Sequence, residues 1–410
     1  MKVEELVRRS LHHMAESDTR PDPGLAGRVL RTRRRRRARG VTGAVAAVAA
    51  VVAVAVAVPL TVPGSGGGES AAVPQDDVIG RPGESPPRGL IAAGDVALAS
   101  WYTNETEDLP GGDAVGGRKW RLYDPDTGRY EDTDWAWIDV APGMRTAAVL
   151  EDDLPARRIG LLDLASGEVE RWIPLDGEGV GSVEFSPDGE RLVATAYSHN
   201  PDRRFKDASY WLNDDKVPGA KRSRTGFYVA DADSGDAAYT GLPYADDPDH
   251  GMEGMNGRED LNWSSDGELL WEHWAFEPGR LYYDLSGEKA ERPAREKHVS
   301  YAEAGLSPDG RLVGGEFAGE GDEIASEVLD ARTGERVAKV PGQQLLAWAD
   351  DERLIAWGCD PGVCQENEYK NRLVLIGFDD DDEVIPLSGN RAGNGDGGDA
   401  RRWIPEFTER

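Results

Sequence analysis

Few residues of this 410-residue chain are of types that could carry out chemistry, and its two cysteines are the clearest case. Cys359 and Cys364 flank the sequence Asp-Pro-Gly-Val, whose Pro-Gly step turns the chain. In an exported protein, an even number of cysteines favours a small disulfide, which would make this loop rigid. A redox pair is disfavoured because the spacing is not Cys-x-x-Cys. Zinc is disfavoured because no pair of histidines stands nearby at ligand spacing.

Catalytic motifs are missing from the sequence. It contains no Gly-x-Ser-x-Gly, no His-Glu-x-x-His, no phosphate-binding glycine loop and no EF-hand calcium loop. The histidines of the C-terminal region are scattered, which indicates surface or packing positions: His199, His250, His273 and His298. We therefore expect no catalytic residue, no metal site and no cofactor. The acidic runs Asp379 to Glu383 and Asn394 to Asp399 could bind Ca²⁺, although hydrated loops are the alternative.

A basic segment, Ser198 to Arg224, is the first candidate for binding. It has seven Lys or Arg and four Asp, a net charge of +3 inside a strongly acidic region. The residues predicted to make contacts are Arg203, Arg204, Lys206, Tyr210 and Trp211. The segment could bind an acidic partner, fold over the negative surface of its own domain, or be an ordinary solvated loop.

An aromatic cluster between residues 263 and 283 is the second candidate for binding. Its members are Trp263, Trp271, Trp274, Tyr282 and Tyr283. If the cluster lines a ligand pocket, Trp271 and Trp274 are the predicted contacts. The alternation of these residues along strands also fits the packing of one sheet against the next, which is the competing interpretation.

One apolar run, Val41 to Val62, is long enough to cross a membrane. A helix of these 22 residues spans about 33 Å at about 1.5 Å per residue. Seven arginines between Arg31 and Arg39 precede the run, and a Gly- and Ser-rich stretch follows it. Because positive charge stays inside, we expect one transmembrane helix, a cytoplasmic N-terminus and an exported C-terminal part. A cleaved signal peptide is the alternative, but its apolar region would be shorter and nearer the start.

The chain thus divides into four regions. Residues 1–40 form a basic tail with a short amphipathic helix, residues 41–62 the transmembrane helix, residues 63–87 a flexible linker, and residues 88–410 the folded domain. All 12 Trp, 12 Tyr and 7 Phe lie at or after Trp101, so only the last region can form a core. The first 40 residues carry +7 and the part after the apolar run −36. Such a negative surface excludes a nucleic-acid partner.

Two turn sequences repeat along the last region. The first is an Asp followed by a Thr/Ser-Gly turn, and it begins at Asp124, Asp163, Asp231, Asp284 and Asp330. The second is Ser-Pro-Asp-Gly or a relic of it, and it begins at Ala141, Ser186, Ser264, Ser307 and Ala349. Pro fixes the first corner of such a turn, Asp caps it and Gly takes the positive φ. Each period therefore predicts four short antiparallel strands.

These paired turns resemble those of the WD40-like and TolB-type β-propeller repeats, over about residues 88–390. The resemblance implies an all-β fold with blades of four-stranded antiparallel sheets. Six blades are expected, or seven if the irregular spacing hides one, and they begin near Gly89, Trp135, Val180, Leu261, Tyr301 and Leu345. The Gly-His and Trp-Asp dipeptides of WD40 repeats are absent, so the closer likeness is to the bacterial periplasmic branch. The strand-like tail from Arg402 to Phe407 is expected to complete the first blade and close the ring.

The long segments of this arrangement all fall at one end of the ring. They are Thr103 to Arg118, Ser198 to Arg224, Tyr244 to Asp260 and Cys359 to Asn371. Long loops on a rigid scaffold often bind ligands. The resemblance implies propellers that mostly bind proteins or small ligands, sometimes ahead of an enzyme domain. We therefore expect a membrane-anchored, non-enzymatic module that binds a protein, a peptide or an envelope component. A propeller enzyme or carbohydrate-binding propeller with acidic residues around the central funnel is the alternative.

Overall fold

The computed structural model describes most of the acidic C-terminal region. The described residues are 74, 76–212, 215–243, 257–274, 279–300, 302–320, 323–359, 369–378, 384–392 and 402–410. All of them belong to one compact unit, Glu69–Arg410. Within these ranges no helix has the length and apolarity that crossing a bilayer requires. The predicted basic tail and transmembrane helix, residues 1–62, lie outside the described residues.

Short strands make up nearly all of the described secondary structure, apart from one 3-10 turn at Ala294–Glu296. In chain order the strands are β1 (Val78–Ile79), β2 (Ala92–Ala93), β3 (Val96–Asp108), β4 (Ala114–Asp124), β5 (Arg129–Asp132), β6 (Trp137–Val140), β7 (Thr146–Leu150), β8 (Arg158–Asp163), β9 (Val169–Pro174), β10 (Gly179–Phe185), β11 (Arg191–Tyr197), β12 (Arg203–Leu212), β13 (Asp215–Ala220), β14 (Arg224–Asp231), β15 (Ala237–Gly241), β16 (Leu261–Trp263), β17 (Leu270–His273), β18 (Arg280–Tyr283), β19 (Lys289–Ala290), β20 (Leu312–Phe317), β21 (Ser326–Asp330), β22 (Arg336–Val340), β23 (Gln344–Trp348), β24 (Arg353–Gly358), β25 (Arg372–Gly377), β26 (Ile385–Pro386) and β27 (Trp403–Glu409).

The strands form six antiparallel sheets, which we number as blades 1 to 6. Blade 1 contains β27, β3, β4 and β5, and blade 2 contains β6 to β9. Blade 3 contains β10, β11, β14 and β15, whereas blade 4 contains β16 to β19. Blade 5 contains β20 to β22 and blade 6 contains β23 to β26. The strands of each blade follow one another in space as they do in sequence, except where β27 joins blade 1 and where β12 and β13 interrupt blade 3.

The last strand closes the ring. β27 pairs with β3 from Trp403↔Thr103 to Glu409↔Val96, which places a C-terminal strand at the inner position of the first blade. The Trp403 side chain is fully buried, and its ring meets those of Trp101 at 6.1 Å and Trp357 of blade 6 at 5.1 Å. The predicted return of the tail is confirmed. The predicted start of blade 1 near Gly89 is wrong for the inner strand, since Gly89 only bridges to the edge of β5.

Blade 5 differs from the predicted four-stranded pattern. It has three strands, and residues 304–306 lie where an inner strand would run. Gly314 N donates to Gly305 O, and Leu306 bridges to Val313, so this segment makes only part of a ladder. The positive φ of Gly305, 57°, breaks the extended conformation that a strand needs.

Hydrophobic side chains join each blade to the next. One cluster contains Leu98 of blade 1, Val149 of blade 2 and Ile355 of blade 6, and further clusters join blades 2 and 3, 3 and 4, and 5 and 6. Between blades 4 and 5, the segment around the 3-10 turn fills the space. Its Glu296 accepts hydrogen bonds from blade 4, while its Val299 packs on blade 5. The sheets therefore form a closed ring around a central axis.

The repeated turns occupy one rim of the ring. Glycines of both turn types have positive φ, as the sequence predicts, for example 74° at Gly189 and 75° at Gly334. The Ser186 hydroxyl accepts the N–H of Arg191, and the carboxylate of Asp330 accepts the N–H of Thr333. These side-chain hydrogen bonds hold the chain reversal locally, which is why four or five residues are enough to specify each corner.

Two segments predicted as long loops are instead β-structure on the opposite rim. β3 and β4 extend beyond blade 1 and stay paired as far as Asp108↔Ala114, and β12 and β13 form a second hairpin. The two hairpins join at their edges through Arg203↔Val115 and Arg204↔Ala114. Blades 1 and 3 are thus connected by a small four-stranded sheet. We call this sheet, residues 103–118 and 203–220, the canopy.

Candidate functional site

Carboxyl groups recur at one position of the inner strands. Glu406, Asp139 and Glu184 lie on β27, β6 and β10, opposite Ser100, Ala148 and Val193 of the second strand in blades 1, 2 and 3. These are equivalent register positions, so the three side chains lie at one level of the central channel. Blade 4 has Asn262 there, opposite Trp271. The channel is therefore acidic on the side of blades 1 to 3.

Two further polar side chains continue this lining in blades 5 and 6. Glu303 precedes the irregular segment of blade 5, and its Oε1 accepts a hydrogen bond of 2.8 Å from Gln344 Nε2 at the start of β23.

The carboxylate of Asp139 accepts the backbone N–H of Phe185 on the neighbouring inner strand, at 2.7 Å. The inner edges have no further strand beside them, so this contact satisfies one of the backbone donors that would otherwise face the channel.

Protein atoms surround these carboxyl groups, although Glu303 and Glu406 are also exposed to the channel. Burial raises the pKa of Asp139 to about 7, despite the hydrogen bond from Phe185. Burial, followed by the charges of Glu303 and Asp139, raises the pKa of Glu406 to about 8. Burial and the charge of Asp139 also raise the pKa of Glu184. Near neutral pH the channel therefore holds a mixture of protonated and charged carboxyl groups.

A buried ionic cluster fixes the canopy to the ring. Asp202, just before β12, accepts hydrogen bonds from Arg258 Nε at 2.7 Å and from Arg118 Nη1 at 3.3 Å. Both guanidinium groups also lie over the ring of Trp137 in blade 2, with Cζ 4.8 Å from the centroid for Arg118 and 4.5 Å for Arg258. Burial alone would raise the pKa of Asp202, but the hydrogen bond from Arg258 and the charges of both arginines lower it. The canopy is thus held above blade 2.

The basic side chains of the segment Ser198 to Arg224 mostly meet acidic groups of the same chain. Four of them make ion pairs, which are Arg203–Asp113, Lys221–Asp207, Arg222–Glu259 and Arg224–Glu272. Lys206 donates its backbone N–H to Asp113 and its Nζ to Gly111 O. Among the alternatives for this segment, these contacts support the one in which it folds over its own acidic domain.

The aromatic residues of the canopy are exposed to solvent, whereas most of its cations are paired. Trp211 has 57% of its surface exposed, the largest fraction among the described tryptophans, and it lies opposite Lys216 in the hairpin. Tyr210 is partly exposed, and Arg204 is partly buried with no hydrogen-bond partner for its Nη1. The canopy therefore offers one large exposed apolar side chain on a rigid sheet.

The aromatic cluster of blade 4 packs inside the blade. Trp271 is 9% exposed, its indole N–H donates to Trp263 O at 2.8 Å, and Arg280 lies over its ring at 3.7 Å. Trp274 is partly buried, and its backbone N–H donates to Gly279 O. The packing interpretation therefore applies to Trp271, whose side chain is buried within the blade.

Other predicted sites lie partly outside the described residues. Cys359 follows β24 directly and is disulfide-bonded, whereas Cys364 lies outside the described ranges, so their pairing stays a prediction. The acidic runs Asp379 to Glu383 and Asn394 to Asp399 also lie outside them. In the part of the chain that is described, no three His, Cys, Asp or Glu side chains are grouped closely enough to hold a metal ion.

The channel carboxyl groups could have been found from the sequence. Asp139, Glu184 and Asn262 each stand two residues before the turn that ends the inner strand, at Ala141, Ser186 and Ser264. That fixed offset marks a position facing the axis. Glu406 gives no such signal, because its strand and the next one come from opposite ends of the domain.

The fold and the channel together define an all-β protein of six blades in a closed ring, a β-propeller. No protein-family model matches the chain. No curated protein matches it either.

Similar solved structures include TolB from Acinetobacter baumannii, at 13% identity and a TM-score of 0.35, with 72% of this chain and 67% of that chain covered. The Cps50 (Swd1) β-propeller domain from Myceliophteria thermophila is 13% identical, with a TM-score of 0.34 and coverage of 75% and 91%. Hydrazine synthase from Kuenenia stuttgartiensis is 12% identical, with a TM-score of 0.28 and coverage of 69% and 67%. These likenesses are too distant to say what this chain binds.

Proposed function

We propose that the chain is a membrane-anchored binding or scaffold module without enzymatic activity, whose canopy recognises a protein or another envelope component. The observation that carries this proposal is the canopy itself. Two hairpins from blades 1 and 3 are joined edge to edge and held down by Asp202, Arg118 and Arg258. Such a rigid platform can be recognised without a large loss of conformational entropy.

Trp211 is the side chain on which recognition would centre. Tryptophan is enriched among the residues that dominate binding energy, because one ring removes a large apolar area from water. With 57% of its surface exposed, Trp211 has little packing role to explain its presence on a polar sheet. Lys216 lies opposite Trp211 in the hairpin, and its charge would favour a carboxylate group on the partner.

The placement of the module belongs to the same proposal. Residues 41–62 would cross the membrane once, with the basic residues before them in the cytoplasm and the propeller outside. Protease added to intact cells should then digest the acidic domain or reduce it to a resistant core, and leave the first 40 residues protected. Protection of the acidic domain until the membrane is permeabilised would contradict this orientation.

The experiment that tests recognition compares two single substitutions of equally exposed residues. Trp211→Ala and Val337→Ala each remove an apolar side chain that is 57% exposed, one on the canopy and one on β22 of blade 5. The tagged full chain is purified from solubilised membranes, and the proteins that copurify are measured by quantitative mass spectrometry. We expect one or more partners to fall at least tenfold with Trp211→Ala and to stay constant with Val337→Ala. Equal recovery with both variants would refute the role of the canopy.

A second candidate function is an enzyme or carbohydrate-binding propeller that uses the channel. The observation that favours it is the group of carboxyls at one level, with pKa values of about 7 at Asp139 and about 8 at Glu406. Groups that titrate near neutral pH suit proton transfer. Asp139→Asn with Glu406→Gln should abolish any turnover or sugar binding that the wild-type chain shows. Unchanged activity in this double variant would eliminate the channel as the site.

A further inference from the structure

A groove of about 540 Å³ lies between blades 1 and 2. Its lining comes from the two outer strands of blade 1, the segment that enters blade 2, the residues just after the second strand of blade 2, and the end of its third strand with the turn that follows. None of these residues belongs to the canopy. The floor is apolar and includes Leu122, Tyr123, Trp135, Leu162 and Leu164. The volume falls in the range of ligand sites in proteins, and the groove is open to solvent.

Seven carboxylates stand around this floor, and four of them are engaged by the chain itself. Asp124 accepts the N–H of Asp126 within its turn, and Glu131 accepts the hydroxyl of Thr127. Asp132 pairs with Arg121, while Glu151 pairs with Arg158. These contacts account for part of the negative charge and none of them closes the groove.

The remaining three carboxylates, those of Asp126, Asp134 and Asp152, have no hydrogen bond or ion pair to any side chain that the structure describes. All three residues are exposed along the groove. Thr133 lies among them, and its hydroxyl oxygen is buried without a hydrogen-bond partner. The groove thus combines an apolar floor, three carboxylates without counter-ions and one unsatisfied hydroxyl.

The chain shows which cation suits this environment, because one of its own arginines binds Glu151, a carboxylate of the lining. Arg158 donates to both oxygens of Glu151, at 2.8 and 2.7 Å, and its guanidinium lies 3.8 Å from the centroid of the Trp172 ring. The Trp172 ring in turn lies 6.2 Å from that of Trp135 in the floor. A planar guanidinium that stacks on an aromatic ring and binds a carboxylate with two hydrogen bonds is the arrangement that arginine makes better than lysine.

We propose that this groove binds an extended, arginine-bearing segment of a partner protein. The aliphatic parts of the arginine side chains would cover Leu122, Leu162 and Leu164, and the guanidinium groups would reach Asp126, Asp134 and Asp152. The groove shares no residue with the canopy, so it can bind this segment whether or not the canopy binds a partner.

The test uses the full chain in detergent and a fluorescein-labelled five-residue peptide that alternates arginine and alanine. Binding is measured by fluorescence anisotropy at about 0.1 M salt. We expect saturable binding, weaker binding of the lysine version and no binding of the glutamine version. A lysine peptide that binds as tightly as the arginine peptide would contradict the role assigned to the guanidinium group.

A matched pair of triple variants separates the groove from the general negative charge of the domain. Asp126→Asn, Asp134→Asn and Asp152→Asn remove three charges from the groove. Asp176→Asn, Asp233→Asn and Asp236→Asn remove three charges from exposed positions elsewhere on blades 2 and 3. We expect the first triple variant to weaken the Kd about tenfold and the second less than about twofold. Equal weakening would mean that the peptide is attracted only by net charge, and the proposal would fail.

A further substitution excludes the chain's own basic tail as the occupant. The five arginines from Arg33 to Arg37 are replaced together by glutamine. If the groove serves a partner, the affinity for the peptide stays unchanged. Tighter binding would show that the tail had been competing for the groove and would overturn the proposal in its present form. Thermal unfolding monitored by tryptophan fluorescence confirms that each variant retains the fold.

Discussion

Asp139→Asn should stabilise the propeller at alkaline pH and leave its stability nearly unchanged in acid. The carboxyl group faces the channel, accepts the N–H of Phe185 and has a pKa of about 7 in the folded chain, against an ordinary value of 3.8. The folded state therefore keeps a proton that the unfolded chain loses. The stability that this proton provides is fully present below about pH 4 and is lost as the pH rises through about 7.

The size of the effect follows from the two pKa values. A difference of about 3 pH units at about 1.36 kcal/mol per unit gives a ceiling of about 4 kcal/mol, and water in the channel reduces this to ~2 kcal/mol. Asparagine keeps the acceptor for Phe185 N–H and cannot ionise. For a domain of about 340 residues, ~2 kcal/mol corresponds to a rise in Tm of about 3 °C. We expect this rise at pH 9 and a change below about 1 °C at pH 4.

The assay is thermal unfolding of the full chain, followed by tryptophan fluorescence between pH 4 and pH 9. All 12 tryptophans lie at or after Trp101, so the signal reports the propeller alone. Asp330→Asn is the matched control. The Thr333 N–H and hydroxyl lower the pKa of Asp330, so this substitution should destabilise the fold, whereas Asp139→Asn stabilises it. Its loss of stability should be present at neutral pH and disappear in strong acid. A pH-independent effect of Asp139→Asn, or a loss of stability at pH 9, would refute the reasoning.

Two other predictions concern the contacts that hold the ring and the canopy. Trp403→Ala should lower the free energy of unfolding by about 3–5 kcal/mol, because the ring is fully buried between Trp101 and Trp357. Trp211→Ala should change it little, so urea unfolding of both variants gives a direct comparison. Asp202→Asn should cost about 3 kcal/mol, since it removes the carboxylate that pairs with Arg118 and one of the two that pair with Arg258, whose side chains are only 16% and 10% exposed. Glu105→Gln, which breaks an exposed pair with Lys119, should cost less than about 1 kcal/mol in the same assay, and an equal loss in both variants would contradict the account.

The turns of the propeller were predictable because each is specified by its own residues. The sequence from Ser186 to Gly189 and the sequence from Asp330 to Gly334 contain the cap, the proline or hydroxyl, and the glycine that the corner needs. The sequence predicts that the tail forms a strand and returns to the first blade, because the residues from Trp403 to Phe407 are strand-like. Its register against β3 was not predictable, because no local turn connects the two strands.

The canopy could not be predicted for a similar reason. The residues of Thr103 to Asp108 are all polar or charged, so they give no hydrophobic alternation, and their partner is a hairpin nearly 100 positions later in the chain. Arg203 and Asp113 pair at this edge, and they can meet only once blades 1 and 3 are in place. The alternative function implies acidic residues around the central funnel, and the fixed offset of Asp139 and Glu184 from the turns identifies two of them.

The most direct measurement of the central claim is site-specific photo-crosslinking in living cells. A photoreactive amino acid is placed at Trp211 on the canopy, at Ser234 and Thr333 in repeated turns away from the groove between blades 1 and 2, and at Val337 on an outer strand. We expect a discrete crosslinked partner from position 211 and none from positions 234, 333 and 337. Crosslinks that arise from the turn rim while position 211 gives none would contradict the assignment of the recognition face.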